Sequence, residues 1–171
     1  MANFSPYPLS RREAAFVMLA SLVLTACTSG PRNMSQSELT DFATRYAAAW
    51  SSQNPDSLAN FYADTGSLQV NASPPSVGRI AVRASVQSFM SGFPDMVVRM
   101  DSVVQSGPKT VFHWTWTGTN TGPGGTGKAV RISGYEEWTY DSDGLIAQSL
   151  GHYDEAEYQR QMTATTPPPS S

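Results

Sequence analysis

The sequence is poor in the residues that build disulfides and metal centres. Among its 171 residues there are one cysteine, Cys27, and two histidines, His113 and His152. A single cysteine excludes a disulfide within this chain. The two histidines are far apart and have no matching cluster of cysteines or carboxylates, so we predict no metal site. No glycine-rich phosphate-binding loop is present either, because residues 122–127 have the pattern of a turn, and we predict no cofactor.

Basic residues are also scarce, and none of them forms a run. The sequence has 11 lysines and arginines against 14 aspartates and glutamates, which gives a formal net charge of −3. A weakly acidic chain lacks the positive surface that binds a phosphate backbone, so we predict no nucleic-acid partner. The apolar stretch from Ala14 to Ala26 is too short to span a bilayer.

That apolar stretch has the features of an export signal. Arg11 and Arg12 precede it, and it ends in Leu24-Thr25-Ala26-Cys27, which resembles the lipobox of bacterial lipoproteins. The resemblance implies that residues 1–26 are removed and that Cys27 is lipidated, which anchors the chain to a membrane at the bacterial periplasm or cell surface. The alternative is a cytoplasmic protein with an apolar N-terminal helix and a buried thiol. The choice between the general and the twin-arginine export route stays open.

The rest of the chain has the length of one domain. Residues 27–34 are small and polar and are predicted to form a tether. Residues 35–162 carry the apolar patterns of a folded domain. Residues 163–171 include three consecutive prolines and are predicted to be a disordered tail.

Three helices are predicted before a group of strands. Ser35-Gln36-Ser37-Glu38 has the pattern of a capping box, and apolar residues at helical spacing continue to about Gln53. A second helix begins at Pro55, and a third begins at Gly78-Arg79 after a short strand. The strands are predicted at 67–71, 96–105, 110–119, 128–140 and 145–153, with hairpin turns at 106–109 and 141–144. Helices followed by a four-stranded antiparallel meander predict an α+β fold in which the helices cover one face of the sheet.

Glu136 interrupts the pattern of the fourth of these strands. Val130, Ile132 and Trp138 share one parity of the strand, and Glu136 lies on the same parity. An inward carboxylate is destabilising unless it is hydrogen-bonded, paired or protonated, and such groups often mark functional sites. Because the preceding strand also has aromatic residues on one face, the pattern predicts a pocket as well as a core.

Several short motifs, taken in order, resemble the nuclear-transport-factor-2-like superfamily, and most closely its SnoaL-like polyketide cyclases and ketosteroid isomerases. The motifs are Phe61-Tyr62-Ala63-Asp64, Phe93-Pro94-Asp95, Gly118-Thr119, Thr126-Gly127-Lys128, Asp143-Gly144-Leu145-Ile146 and Tyr153-Asp154. The resemblance covers residues 35–162. It implies a cone, in which a curved antiparallel sheet wraps around the long first helix and leaves a largely apolar cavity.

The resemblance also implies roles for individual residues. Ketosteroid isomerases use a tyrosine of the first helix and a protonated acid of a central strand as an oxyanion hole, and these positions correspond to Tyr46 and Glu136. The carboxylate base of those enzymes corresponds to Val70, so the usual base is missing. Polyketide cyclases use an aspartate with a nearby histidine, for which the last strand offers His152 and Asp154.

Limonene epoxide hydrolases of the same superfamily provide a further comparison. Asn71 is similar to their catalytic asparagine. Gln69 stands where their tyrosine is expected, and Trp114 and Trp116 stand where an arginine and an aspartate are expected. We therefore expect that hydrolase chemistry to be absent.

Three functional hypotheses follow. The first is a lipid-anchored extracytoplasmic domain that binds a small apolar or aromatic molecule, with a cavity lined by Trp50, Tyr62, Asn71, Phe112, Trp114, Trp116, Trp138 and Tyr153. The second is an isomerase or cyclase whose catalytic groups are Glu136, Tyr46 and His152. The third is a scaffold that forms a homodimer, as related domains commonly do, through an outward sheet face of His113, Thr115, Thr117, Arg131 and Tyr135. The sequence does not decide between an enzyme and a binding protein.

Overall fold

The first helix, α1 (Gln36–Ser51), begins with the capping box that the sequence predicts. Ser35 Oγ accepts a hydrogen bond from the backbone N–H of Glu38, and the Glu38 carboxylate accepts one from Ser35 N at 2.8 Å. The helix ends two residues before the predicted boundary, because Gln53 takes a positive φ of 57° that no helix accommodates. The computed structural model describes residues 34–164. The predicted signal segment, Cys27, nearly all of the tether and most of the tail lie outside them.

Within residues 34–164, three further helices and six strands follow α1. The helices are α2 (Pro55–Ala59), α3 (Arg79–Gly92) and α4 (Glu155–Thr163). The strands are β1 (Tyr62–Val70), β2 (Ser76–Val77), β3 (Val97–Ser106), β4 (Lys109–Thr119), β5 (Ala129–Tyr140) and β6 (Ile146–Tyr153).

The strands form one curved sheet in the order β2-β1-β6-β5-β4-β3. Strands β3 to β6 are the predicted antiparallel meander. The sequence did not predict that β1 starts as early as Tyr62, or that it pairs in parallel with β6, the last strand. Gly66 permits this pairing at an irregularity in β1, since a Cβ atom there would lie only 2.5 Å from the carbonyl oxygen of Ile146.

Helix α1 packs its apolar face against the sheet through aromatic side chains. The Tyr46 ring lies 4.8 Å from the Trp138 ring and 5.6 Å from the Phe112 ring, measured between centroids. Phe112 and Trp138 stack on each other at 4.7 Å across β4 and β5. Edge-to-face and offset-stacked rings of this kind add to the hydrophobic contribution of their burial. This arrangement is the predicted α+β cone.

Helix α4 is an element that the sequence did not predict as a helix. Asp154 caps its N-terminus by accepting a hydrogen bond from Glu157 N at 3.0 Å. Gln161 joins it to β5 through hydrogen bonds with both the N–H and the carbonyl of Arg131. The Tyr158 ring stacks on Trp116 at 6.0 Å, so α4 covers part of the inner face of the sheet. None of the helices within residues 34–164 has the length and apolar character needed to cross a membrane.

Candidate functional site

Glu136 lies at the centre of the sheet with its side chain on the inner face. Its strand neighbours are Phe112 on β4 and Gly151 on β6. Only 6% of its surface is exposed. The alternation of β5 therefore directs this acid inward, as its parity predicts.

Three neutral donors converge on one oxygen of this carboxyl group. Glu136 Oε2 accepts hydrogen bonds from Tyr46 OH at 2.9 Å, from Trp138 Nε1 at 2.8 Å and from Ser149 Oγ at 2.6 Å. The other oxygen, Oε1, receives no hydrogen bond from the described residues. Since Glu136 also lines a cavity and its Oε2 already accepts three hydrogen bonds, we infer that Oε1 is the oxygen that a bound molecule can reach.

A second tyrosine continues this hydrogen-bond chain. The hydroxyl groups of Tyr46 and Tyr62 are 2.8 Å apart, and both side chains are fully buried. Because the Tyr46 proton is directed to the carboxylate, Tyr62 donates to Tyr46. Burial, followed by the nearby carboxylate, raises the pKa of both tyrosines well above its usual value, so both stay neutral donors.

The hydrogen bonds to Glu136 do not fully compensate for the burial of its carboxyl group. Burial raises the pKa of its carboxyl group above the ordinary glutamate value, and the hydrogen bonds from Ser149, Trp138 and Tyr46 offset part of that effect. No lysine, arginine or histidine of the described residues forms an ion pair with it. The group is therefore a buried acid that is held in place by hydrogen bonds alone.

The cavity in front of Oε1 has a volume of about 60 Å³, which is room for several water molecules or one small organic group. Its wall is aromatic and aliphatic, and among residues 34–164 Glu136 is its one charged side chain. The lining residues are Trp50, Leu68, Val70, Phe89, Met96, Val98, Trp114, Trp116, Glu136, Gly151 and Tyr153. The tryptophans fill much of the cone, which explains the small volume.

The predicted site residues inside the cone divide into two groups, and Asn71 lies apart in a recess that is described below. Trp50, Trp114, Trp116 and Tyr153 line the cavity. The other side chains in the cone lie behind Glu136 and pack in the core, where they do not reach the cavity: Tyr46, Tyr62, Phe112 and Trp138. Tyr46 thus contacts the acid and is not exposed to a ligand, unlike the direct oxyanion-hole donor that the family resemblance implies.

Asn71 lies in a wider recess of about 670 Å³ that adjoins the cavity. Its Oδ1 accepts from Tyr153 N at 3.0 Å, and its Nδ2 donates to Glu155 Oε2 at 3.4 Å. Its φ is 48°, in the left-handed region that asparagine tolerates better than most residues. The Tyr153 hydroxyl and then Gln159 and Asn71 donate to Glu155 and lower the pKa of its carboxyl group, so Glu155 is an ionised acid at the recess.

His152 lies on the opposite face of the sheet from Glu136. It pairs with Tyr135 across β5 and β6, and the two rings stack with centroids 4.8 Å apart. His113 is on that outer face as well, 5.8 Å from Tyr135. The prediction that His152 lies near the pocket is therefore wrong, because the inward position of β6 at this level belongs to Gly151.

Ser149 is a site residue that the sequence analysis missed. It is fully buried on the inner face of β6 and makes the shortest of the three hydrogen bonds to Glu136. Ser149 and Gly151 are two residues apart and therefore lie on the same face of β6. The sequence did not show which face of β6 points inward, because the strand has no clear apolar alternation. In residues 34–164, no three side chains of His, Cys, Asp or Glu come together in the manner of metal ligands.

Comparison with known proteins agrees with this fold. A family model described as SnoaL-like polyketide cyclase matches residues 40–162. No curated protein matches the chain.

Solved structures match the chain over most of its length at low identity. A putative SnoaL-like polyketide cyclase from Jannaschia sp. CCS1 is 17% identical with a TM-score of 0.68, over 79% of this chain and 99% of that one. A hypothetical protein with a ketosteroid isomerase-like fold from Catenulispora acidiphila, in complex with trimethylamine, is 16% identical with a TM-score of 0.65, over 73% of this chain and 94% of that one. A phenazine biosynthesis-related protein from Pseudomonas aeruginosa is 12% identical with a TM-score of 0.61, over 80% and 94%. At these identities the likeness concerns the fold alone.

Proposed function

Since the chain belongs to the SnoaL-like polyketide cyclase family, we propose that it binds a small apolar or aromatic molecule in the cavity in front of Glu136. The observation that supports this proposal is that the two oxygens of the Glu136 carboxyl group have different surroundings. Oε2 is held by Tyr46, Trp138 and Ser149, while Oε1 is left for the cavity. A largely apolar pocket with one precisely oriented polar group is the usual design of a small-molecule site.

The cavity wall supports an apolar ligand. Aromatic rings contributed by α1, α3, β4 and β6 surround the space, and each square ångström of apolar ligand surface that they cover contributes about 25 cal/mol. The relative from Catenulispora acidiphila was determined in complex with trimethylamine, a small molecule with apolar methyl groups. We expect this cavity to accept molecules of comparable size.

Gly151 offers a direct test of the cavity. A Cβ atom there would lie 3.6 Å from Glu136 Cγ and 3.9 Å from Val70 Cγ2, which are ordinary contacts, so Gly151→Ala should fold normally. Gly151→Val extends into the cavity and should abolish binding of small apolar probes such as benzene or indole in NMR titrations. If wild type, the alanine variant and the valine variant all fail to bind any probe, the binding proposal is wrong.

We further propose that the domain is exported and tethered to a membrane through a lipidated Cys27. The support is the sequence pattern of residues 11–27 alone, and Cys27 lies outside the described residues. Expression in bacteria fed labelled palmitate should give labelled protein in the membrane fraction. Cys27→Ser should lose the label, and an unlabelled wild-type protein would contradict the anchor.

An isomerase or cyclase activity is the second candidate, and the buried acid favours it. Glu136 has a raised pKa and faces the cavity, as a general acid requires. Against it, the described cavity lining contains no histidine and no second carboxylate to complete a proton relay. On a substrate identified by screening, Glu136→Gln should lower kcat by about 10²–10⁴-fold if Glu136 transfers a proton. An unchanged kcat would reject this role.

A homodimer through the outer sheet face is a separate proposal about assembly. Val97, Val104 and Tyr135 are large apolar side chains exposed on strands β3 and β5 of this face. We expect light scattering to give twice the monomer mass and Tyr135→Lys to reduce it to the monomer mass. A monomer at all concentrations would contradict the proposal.

A further inference from the structure

We propose that the cavity selects a small organic cation, an ammonium ion that carries apolar alkyl groups, as its ligand. This inference rests on the proposed binding function and names the class of ligand. Two observations support it. The cavity is lined by aromatic side chains and by Glu136, whose Oε1 accepts no hydrogen bond from the described residues, and the adjoining recess is lined by a second acid, Glu155.

The first argument is the sign of the charges along the approach. Within the described part of the chain, Glu155 is the one charged residue that lines the outer recess, and Glu136 is the one that lines the inner cavity. Neither lining includes a lysine, an arginine or a histidine of the described chain. A carboxylate ligand would meet two acids and no positive group, whereas a cation would be attracted by both.

The second argument is the aromatic composition of the cavity lining. Five aromatic side chains line the inner cavity: Trp50, Phe89, Trp114, Trp116 and Tyr153. In so small a space, an occupant lies within a few ångströms of several rings. Cations are attracted to the faces of aromatic rings, tryptophan most strongly, and cages of this composition recognise alkylated ammonium groups.

The third argument is the way Glu136 is fixed. The three donors to Oε2 come from α1, β5 and β6, so the carboxyl group has no freedom to turn Oε2 toward the cavity. Its second oxygen is therefore presented in one orientation. The indole nitrogens of Trp114 and Trp116 do not compete as ligand contacts, because both are inaccessible in the wall.

Binding of a cation should be coupled to the protonation of Glu136. The polar groups that face this carboxyl group are Tyr46 from α1, Ser149 from β6, and Trp138 from its own strand, with Tyr62 of β1 behind Tyr46 and Tyr140 nearby on β5. All are neutral, so no fixed positive charge holds the acid ionised. A bound cation supplies that charge and releases the proton, and its affinity should rise with pH until Glu136 is ionised in the free protein.

The experiment compares two probes with the same number of non-hydrogen atoms, the permanent cation tetramethylammonium and the neutral alcohol tert-butanol. Calorimetric or NMR titration of the mature domain at about pH 8 should give a dissociation constant at least about tenfold lower for the cation. The preference should weaken as the pH is lowered, while the affinity for tert-butanol stays constant. In Glu136→Gln the preference should fall to the part that the aromatic rings supply and should no longer depend on pH. In the control Glu137→Gln, which changes the outward neighbour on the same strand, the preference and its pH dependence should remain.

The outcomes separate this inference from the binding function on which it rests. If tert-butanol binds as tightly as tetramethylammonium at high pH, the cation inference is wrong and the apolar binding site stands. If neither probe nor the apolar probes bind, both are wrong. Should Glu136→Gln fail to fold, the pH dependence of the two probes in the wild-type protein decides, since a cation affinity that is flat with pH overturns the inference.

Discussion

Glu136 and Glu137 are consecutive residues of the same type, and the sheet gives them opposite chemistry. Glu137 points outward, is partly exposed and forms an ion pair with Lys109 at 2.8 Å. Glu136 points inward, is buried and has three neutral donors in place of a cation. The pleat of β5, and not the identity of the residue, decides that one acid contributes to surface charge and the other is buried beside the cavity.

Replacement of each acid by alanine should show the largest difference. Glu136→Ala leaves the donors from Tyr46, Trp138 and Ser149 without an acceptor, and we expect the free energy of unfolding to fall by about 3 kcal/mol. Glu137→Ala breaks a partly exposed ion pair, and we expect a loss below about 1 kcal/mol. Urea denaturation of both variants measures the difference, and equal losses would remove the energetic distinction between the two faces.

The pH dependence of stability should come next in size. Because the pKa of Glu136 is raised in the folded protein, the folded state keeps a proton that the unfolded state has already lost. Stability therefore falls as the pH rises from the ordinary glutamate pKa to the folded one, with a slope of up to about 1.4 kcal/mol per pH unit. Denaturation midpoints of wild type minus those of Glu136→Gln isolate this contribution. A difference that rises with pH in this window would mean that the folded pKa is lowered.

Tyr46→Phe should have a smaller effect, because it keeps the packing of the ring and removes only the hydroxyl, which donates to Glu136 and accepts from Tyr62. We expect a loss of about 1–2 kcal/mol in unfolding free energy, since the buried Tyr62 hydroxyl also loses its acceptor. The falling branch of the pH profile should also extend to higher pH, since the Tyr46 hydrogen bond lowers the pKa of Glu136. The control is Tyr135→Phe on the outer face, which should change stability by less than about 0.5 kcal/mol. If both variants behave alike, the Tyr46 hydroxyl does not support the acid.

The smallest effect should come from Lys109→Met, which removes the partner of Glu137. The pair is solvent-screened, so we expect a loss below about 0.5 kcal/mol that disappears at high salt. Thermal denaturation at low and high ionic strength measures it. A loss that persists at high salt would show that packing of the lysine stem, and not its charge, is responsible.

Local sequence rules predicted the elements whose signals are local. The capping box at Ser35 and Glu38 located the start of α1. The alternation of large aromatic residues located the inward faces of β4 and β5, including the position of Glu136. These predictions succeed because each depends on residues a few positions apart along the chain.

The features that depend on distant or small residues were not predicted. Strand β6 has few large apolar side chains, so its parity was ambiguous and His152 was expected near the site that Gly151 and Ser149 occupy. Helix α4 has no buried residue and lacks the apolar stripe from which helices are inferred. The parallel pairing of β1 with β6 joins strands that are separated by most of the domain, and no local pattern encodes it.

The long-range contacts around Glu136 have a consequence for the order of folding. The hydrogen bond from Tyr46 to Glu136 closes a loop of 90 residues, and Ser149 joins only with the final strand. Closing so long a loop is entropically unfavourable until many other contacts compensate for the lost entropy. An unfinished chain that stops before β6 therefore lacks the strand that joins β1 to β5, and it lacks a complete set of donors for the acid. The buried carboxyl group is thus a late product of folding, and its hydrogen bonds report that the whole cone has closed.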